Sequence, residues 1–435
     1  MQHASNHSSA TRRFDAAVII LTVLFLLNVA TYLMVGNALP EGGQFVEQDN
    51  PFARLSWYPI YVAVLIMLCI HGRSATDSLV YNPLIYFLLL LSITSIGFSV
   101  APDITTRRVF ALMITVFFGV YLGVRSNSLE TLRYVSIGCA LAAVLQMVVI
   151  VISPDTAIHQ EANAGAWRGI LFEKNALGAS AAISGLLFTM LIKFDTQFRF
   201  VWTGVLLLAL VLLIGSQSTT SLIAYVLPTG VFLGFSLTQD RPNLRLLVMY
   251  LAIALVMTAA VTSAFFPDAF FGVLGKDATL TGRTDIWGLA TSAIEKQPWT
   301  GYGYGAFWQE ELGPSFIVSS QLEWIVPNAH NTWLEQGLNV GVPGIVGLAL
   351  LVFWSVLRSI YIALKHEIVG PFAILIQLLI FTISESTILW SHNTFTCSLF
   401  VFASILACRP YESRRPNHLK KRRMLVPGTP VLRRA

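Results

Sequence analysis

Twelve apolar runs, each about long enough to cross a lipid bilayer, dominate this chain and leave little room for a water-soluble fold. They occupy residues 16–35, 55–70, 83–100, 109–124, 134–152, 176–192, 200–214, 222–237, 246–266, 343–364, 371–389 and 394–408. A helix crosses the hydrocarbon layer with roughly 20 apolar residues and satisfies its own backbone hydrogen bonds on the way, so each run reads as a spanning helix. Hydrophobic residues make up 55% and charged residues 12% of the 435, which excludes a soluble globule. The expected fold is all-α, a polytopic integral membrane protein of about 12 transmembrane helices. A single membrane domain covers 1–435, with one large outer loop that carries amphipathic helices.

Cations set the expected orientation. With Arg12 and Arg13 inside, alternate connections hold Arg73, Arg125, Arg133, Lys193, Arg199, Arg241, Arg245, Arg358 and Lys365. The tail from residue 409 adds Arg414, Arg415, Lys420, Lys421, Arg422 and Arg423. The positive-inside rule then makes both termini cytoplasmic, 409–435 a basic cytoplasmic tail and 267–340 a periplasmic loop, in a bacterial inner membrane. Most of the net charge of +5 comes from the tail, which lacks interleaved aromatics and lies beside anionic lipid. It reads as an anchor to membrane lipids, with no nucleic acid among the expected partners. Cys69, Cys139 and Cys397 fall inside predicted spans and Cys408 at the cytoplasmic edge, so no disulfide framework is implied. The first run is too long for a signal-peptide core and reads as a retained helix.

Arg54, Arg107, Arg108, Arg168, Lys174, Lys276, Arg283 and Lys296 fall on the outer face, where cations should be few. Chemistry is therefore sought there. The inner connections contain no phosphate-cradling glycine loop. The chain has no Asp-x-Asp pair, no His-Glu-x-x-His and no Cys/His cluster, so a metal-dependent mechanism has no ligand set and no cofactor is expected. Any reaction must use a substrate activated beforehand.

Within the large loop, Ile286, Ala290, Ala293 and Ile294 recur at helical spacing from Arg283 onward, with Pro298 as a stop, so 283–297 is expected to be an amphipathic surface helix. Gly301, Gly303 and Gly305 mark a turn region. A second helix is expected over 331–339, ended by Gly341, with Pro343 opening the next span. His330 then stands at a helix N-terminus, where the macrodipole favours the neutral imidazole, a form able to accept a proton near neutral pH. Asn328, Asn331 and Glu335 are near enough to orient the ring or an incoming hydroxyl. The alternative is a histidine that merely caps the helix.

Arg283, one turn before Trp287, presents a guanidinium fork suited to a pair of phosphate oxygens, or else one that snorkels to lipid headgroups. Arg168 and Lys174 lead into the sixth run, as further ligands for an anion or as interfacial anchors, with Glu173 a salt-bridge partner for Lys174. The run Ser216 to Ser221 is a weaker polar cluster that also fits a hairpin tip. Glu385, near the outer end of the eleventh run, is an ionisable group at a costly depth, functional or paired with an outer arginine. Trp287, Trp299, Tyr302, Tyr304, Trp308, Trp324 and Trp333 crowd the loop, as sugar-stacking faces or as an interfacial belt.

Four motifs follow in order: Arg-Gly-x-x-x-x-Lys-Asn-x-x-Gly from Arg168 to Gly178, Gly-Arg-x-x-x-Trp from Gly282 to Trp287, Pro-Trp-x-Gly-x-Gly-x-x-x-Phe/Trp from Pro298 to Trp308, and Asn-Ala-His-Asn-x-x-Leu-Glu-x-x-x-x-x-Gly from Asn328 to Gly341. Together they resemble the O-antigen ligase and exopolysaccharide polymerase superfamily, over most of the chain and most strongly from Arg168 to Gly347. The first motif is more similar to the polymerase branch. The resemblance implies a metal-independent, inverting membrane glycosyltransferase that polymerises undecaprenyl-diphosphate-linked oligosaccharide repeats for exopolysaccharide production. It implies that Arg168 and Arg283, with Lys174 as a third cation, hold the donor diphosphate and that His330 is the base. A chain-length regulator and export machinery are the further partners expected of that role. The ligase alternative transfers the glycan to lipid A-core. A transporter or flippase of lipid-linked sugars is the rival from another class, but it would keep its polar residues within helices near the midplane.

Overall fold

The computed structural model describes residues 9–35, 51–125, 127–160, 163–171, 173–238, 241–266, 283–308, 314–322, 326–382, 390–392 and 394–411. Its helices are α1 (Ser9–Leu26), α2 (Val29–Val35), α3 (Pro51–Ile70), α4 (Gly72–Tyr81), α5 (Pro83–Thr94), α6 (Pro102–Val124), α7 (Ser128–Ile152), α8 (Pro154–Ala157), α9 (Lys174–Phe194), α10 (Arg199–Gly215), α11 (Thr219–Leu237) and α12 (Pro242–Phe265). They continue as α13 (Arg283–Lys296), α14 (Ser315–Leu322), α15 (Thr332–His366), α16 (Gly370–Thr382) and α17 (Phe395–Cys408). Among the described residues there is no strand, and Ile158 and Trp167 form an isolated antiparallel bridge. The chain is an all-α polytopic membrane protein.

Every predicted apolar run falls at least in part on a helix. Among the described residues, six helices are long and apolar enough to cross a membrane, or up to seven if a bent pair counts as one span. Shorter apolar helices over Pro83–Phe98, Asn243–Leu255, Gly370–Thr382 and Phe395–Cys408 account for four more of the runs. Two runs are less simple than their composition suggests. The first breaks between α1 and α2, where Asn28 takes φ +61°, a left-handed conformation that an asparagine tolerates better than most residues. The second ends in a bend of 86° into α4, which the hydropathy pattern did not indicate.

Packing separates an inward from an outward apolar surface. Phe118, Phe188, Phe232, Phe372 and Phe400 are buried in one continuous core that links the helices. Phe200, Ile214, Leu237 and Phe353 point outward with most of their surface uncovered, as a bilayer-facing belt requires. Inside the bundle Gln377 donates from Nε2 to the carbonyls of Ala182 and Ala224, both at 2.9 Å, tying α16 to α9 and α11. Such a bond replaces water where none is available.

A second, smaller apolar cluster sits apart and supports the polar loop. Ile286, Ala290 and Ile294 of α13 bury one face against Tyr302, Phe307, Val326, Ala329 and Leu338. The expected amphipathic helix is therefore present with close to the expected bounds. The predicted stop near Gly341 is also present, as a break within α15 at Val340 (φ −139°, ψ 17°) and Gly341 (φ 72°, ψ −168°). The first segment of α15 belongs to the loop and the second to the bundle.

The turn 298–305 wedges into that break. A helix end leaves carbonyls without intrahelical partners. Here Tyr302 N–H donates to Leu338 O (2.8 Å), Gly303 N–H to Asn339 O (3.1 Å) and Val342 N–H to Pro298 O (2.7 Å). Gly341 holds a backbone conformation essentially confined to glycine, and a Cβ there would lie 2.5 Å from Pro298 O. Gly341→Ala is expected to destabilise the protein by about 1–3 kcal/mol, lowering its melting temperature in detergent. An unchanged melt would mean that the wedge is not under this constraint.

Candidate functional site

The loop around His330 is built from the backbone outward. Asn331 caps α15, its Oδ1 accepting from Trp333 N (2.9 Å) and Leu334 N (3.2 Å). Capping of this kind satisfies two of the four N–H groups that a helix start leaves open. Asn328 Oδ1 accepts from His330 N at 2.9 Å, which closes a tight side-chain turn around Ala329. His330 itself takes φ +48°, immediately before the cap. Through those bonds Asn328 and Asn331 shape the turn that carries His330.

Ala329 is held at both of its backbone groups. Glu335 Oε1 accepts from Ala329 N at 2.6 Å, and Trp287 Nε1 donates to Ala329 O at 2.9 Å. The same Glu335 oxygen accepts from Trp308 Nε1 at 2.8 Å. The turn bearing His330 is thus tied to α13, the helix that Arg283 opens one turn before Trp287. Of Arg283 only the backbone is described, and Glu385 lies outside the described residues.

Glu335 is half-buried, with the carboxyl end enclosed. Burial pushes its carboxyl up to about 7, against the opposing pull of the Ala329 N–H, the Trp308 indole and the Arg108 guanidinium. A carboxyl raised in the fold contributes stability at pH below about 4.5 that is lost as pH rises through about 7. Glu335→Gln keeps an oxygen for both donors and removes the titration. Its melting temperature is expected to fall less than that of the wild type between about pH 4.5 and 7. Parallel pH curves for the two proteins would show that this carboxyl does not titrate in the window.

Arg108 enters this site from a distance of some 200 residues in sequence, Nη1 donating to Gly305 O. Gly305 N–H donates to Asn339 Oδ1 (2.8 Å), and Tyr304 N–H to Ser95 Oγ (3.0 Å), so the turn is fastened to both α15 and the end of α5. Tyr304 Oη accepts from His392 N at 2.9 Å. Burial first, and the Arg108 cation second, press the His392 imidazole down to about 3, so it is neutral at physiological pH. Sequence reasoning noted Arg108 only as one of several outer cations. Its position on the side depleted of cations was a usable signal; nothing local marked His392.

Arg168 and Lys174 stand in a second cluster. Arg168 is buried and donates from Nε to Thr156 O (2.9 Å), while its N–H and that of Gly169 reach Ala157 O. Lys174 opens α9, and its N–H donates to His159 Nε2 at 3.2 Å. Ser218 Oγ donates to Asn175 Oδ1 (3.1 Å), and Gly178 lies against Ser216, Ser218 and Ser221. The serine-rich run therefore packs on the start of α9. The first motif has a structural role at most of its positions, whatever else it does.

The O-Antigen ligase family matches residues 204–349. That interval includes Arg283, Asn328, His330, Asn331 and Glu335, and leaves Arg168, Lys174 and Glu385 outside. The exopolysaccharide production protein ExoQ of Rhizobium meliloti (strain 1021) is 32% identical to this chain over 196 residues. The aligned stretch is 42% of this chain and 44% of that protein, so the likeness spans less than half of the relative's length.

Proposed function

We propose that the chain, which is similar to the O-antigen ligase family over residues 204–349 and to ExoQ over a comparable share of its length, is a membrane glycosyltransferase that lengthens glycans carried on undecaprenyl diphosphate. The reaction takes place at the periplasmic face of the inner membrane, with both termini cytoplasmic. An acceptor hydroxyl attacks the anomeric carbon of the donor sugar. The bond to the diphosphate breaks, its electron pair leaves with the diphosphate oxygen, and the hydroxyl proton passes to the His330 imidazole. A single displacement inverts the anomeric carbon.

The observation that supports this reading is the clamp on Ala329, which joins the His330 turn to the helix headed by Arg283. Arg283 would take the leaving diphosphate as a two-pronged donor, with Arg168 and Lys174 as further cations. At an effective dielectric near 20, a unit charge held about 4 Å away contributes on the order of 4 kcal/mol. Glu335, Asn328 and Asn331 would fix the turn so that the imidazole meets the acceptor without rearrangement, and Glu385 is a further supporting group. The donor arrives already activated, and the residues of the loop supply charge and a base, the two things such a displacement requires.

Likeness to ExoQ, an exopolysaccharide production protein, favours exopolysaccharide production, and likeness to the O-antigen ligase family favours ligation. The chemistry is shared and only the acceptor differs. Purified protein given undecaprenyl-diphosphate-linked repeats is expected to produce a ladder of longer glycans, whereas lipid A-core added alongside them as a rival acceptor is expected to remain unmodified. Modification of lipid A-core without a ladder would establish the ligase reading. Lipid scrambling with neither product would establish transport. Association with a chain-length regulator and with export machinery belongs to the polymerase reading.

A further inference from the structure

A cavity of about 350 Å³ opens at the far end of α15, lined by Arg358, Tyr361, Lys365, His366 and Tyr411 among others. The helix runs unbroken from the Gly341 break to His366, roughly 38 Å at 1.5 Å per residue, against a hydrocarbon layer of about 30 Å. The cavity is thus a membrane's width from His330. It lies at the end of the molecule where α17 stops and the chain leads into its basic tail.

Its walls are aromatic and its charge is positive. Arg358 and Lys365 each lie over the Tyr361 ring, 5.1 Å from its centre, and Lys365 Nζ donates to Tyr361 Oη at 2.6 Å. His366 and Tyr411 face each other with ring centres 5.5 Å apart, and Arg409 donates from Nε to Tyr411 Oη at 3.1 Å. No carboxylate lines the cavity among the described residues. Glu367, next in sequence, is turned to Arg245 at 3.0 Å. Two cations pinned on one ring, with Arg409 over the Tyr411 ring, repel one another. An anion relieves that repulsion. At the level of lipid headgroups the available anion is a phosphate, and a guanidinium with an ammonium suits its oxygens.

We propose that this cavity binds a phosphate group, supplied by an anionic lipid headgroup or by a free phosphate. The tyrosine ring holds the two cations in place before the anion arrives, so little side-chain freedom is lost on binding. The site does not depend on the glycosyltransferase reading.

Native mass spectrometry after graded delipidation tests it, on the full chain reconstituted with equal phosphatidylglycerol and phosphatidylcholine. The wild type is expected to keep phosphatidylglycerol after phosphatidylcholine has been stripped, and the Arg358→Gln/Lys365→Gln variant to keep at least tenfold less. Arg358→Lys/Lys365→Arg should restore most of the retention, which separates charge from folding. Should the double glutamine variant not survive purification, Lys365→Gln, at an exposed side chain, carries the same test with a smaller loss. Competition by millimolar inorganic phosphate assigns the site to phosphate in general, and resistance to it assigns the site to the headgroup; both support the proposal. Equal retention by wild type and variant overturns it, as does retention that depends on Lys420, Lys421, Arg422 and Arg423 instead.

Discussion

His330→Ala is expected to stop glycan growth while the protein inserts and accumulates as before. A positioned general base contributes roughly 10²- to 10⁴-fold, so loss of the imidazole should leave at most a trace of polymer. Alanine also disturbs the backbone, because His330 sits at φ +48° in a turn held by Asn328 and by the Ala329 clamp. His330→Asn is the cleaner comparison. Asparagine accepts left-handed backbone conformations readily but offers no base at neutral pH. Both variants should be equally inactive, with the asparagine protein melting close to the wild type. Full polymer length from His330→Asn would reduce His330 to a turn residue.

Arg283→Ala is expected to cost roughly 10²- to 10³-fold in kcat, the scale on which preorganised donors to developing charge act. The structural cost should be small or reversed in sign. A cation in the first turn of a helix opposes the macrodipole, and its removal favours α13 by about 0.3–1 kcal/mol. Arg283→Lys keeps the charge but loses the fork, so it should recover only part of the rate. Stability that stays level or rises while turnover collapses is the signature of a residue kept for function. Turnover that follows stability in both variants would instead make Arg283 a structural or lipid-facing residue.

What the sequence made legible followed local rules. Ile286, Ala290 and Ile294 repeat at the spacing of one helix face, and Pro298 stops the pattern, so α13 could be drawn before its contacts were known. Gly341 as a stop is equally local, since it answers to a neighbouring backbone geometry. The apolar runs located the helices for the same reason.

Less of the site was readable where the determinant was a distant contact. Trp308 and Glu335 meet across a turn that has no period, and Arg108 reaches Gly305 from another helix altogether. His392 gives no sequence signal, because its neutral state comes from burial and from Arg108. Arg168 shows the opposite difficulty. Its position in a motif suggests a ligand, yet its Nε holds the Thr156 carbonyl, and only the assembled turn reveals that structural use. The bend after Ile70 was hidden for a similar reason, as hydropathy reports burial and not direction.

In the proposed reaction a diphosphate departs as a sugar hydroxyl takes its place in one inverting step. Its most direct measurement counts undecaprenyl diphosphate released against glycosidic bonds formed by the purified protein, with the anomeric configuration of the new bond read by nuclear magnetic resonance. One lipid diphosphate per bond, with every new linkage inverted relative to the donor, is the predicted result. Retained configuration, or bonds formed without release of the lipid diphosphate, would contradict it.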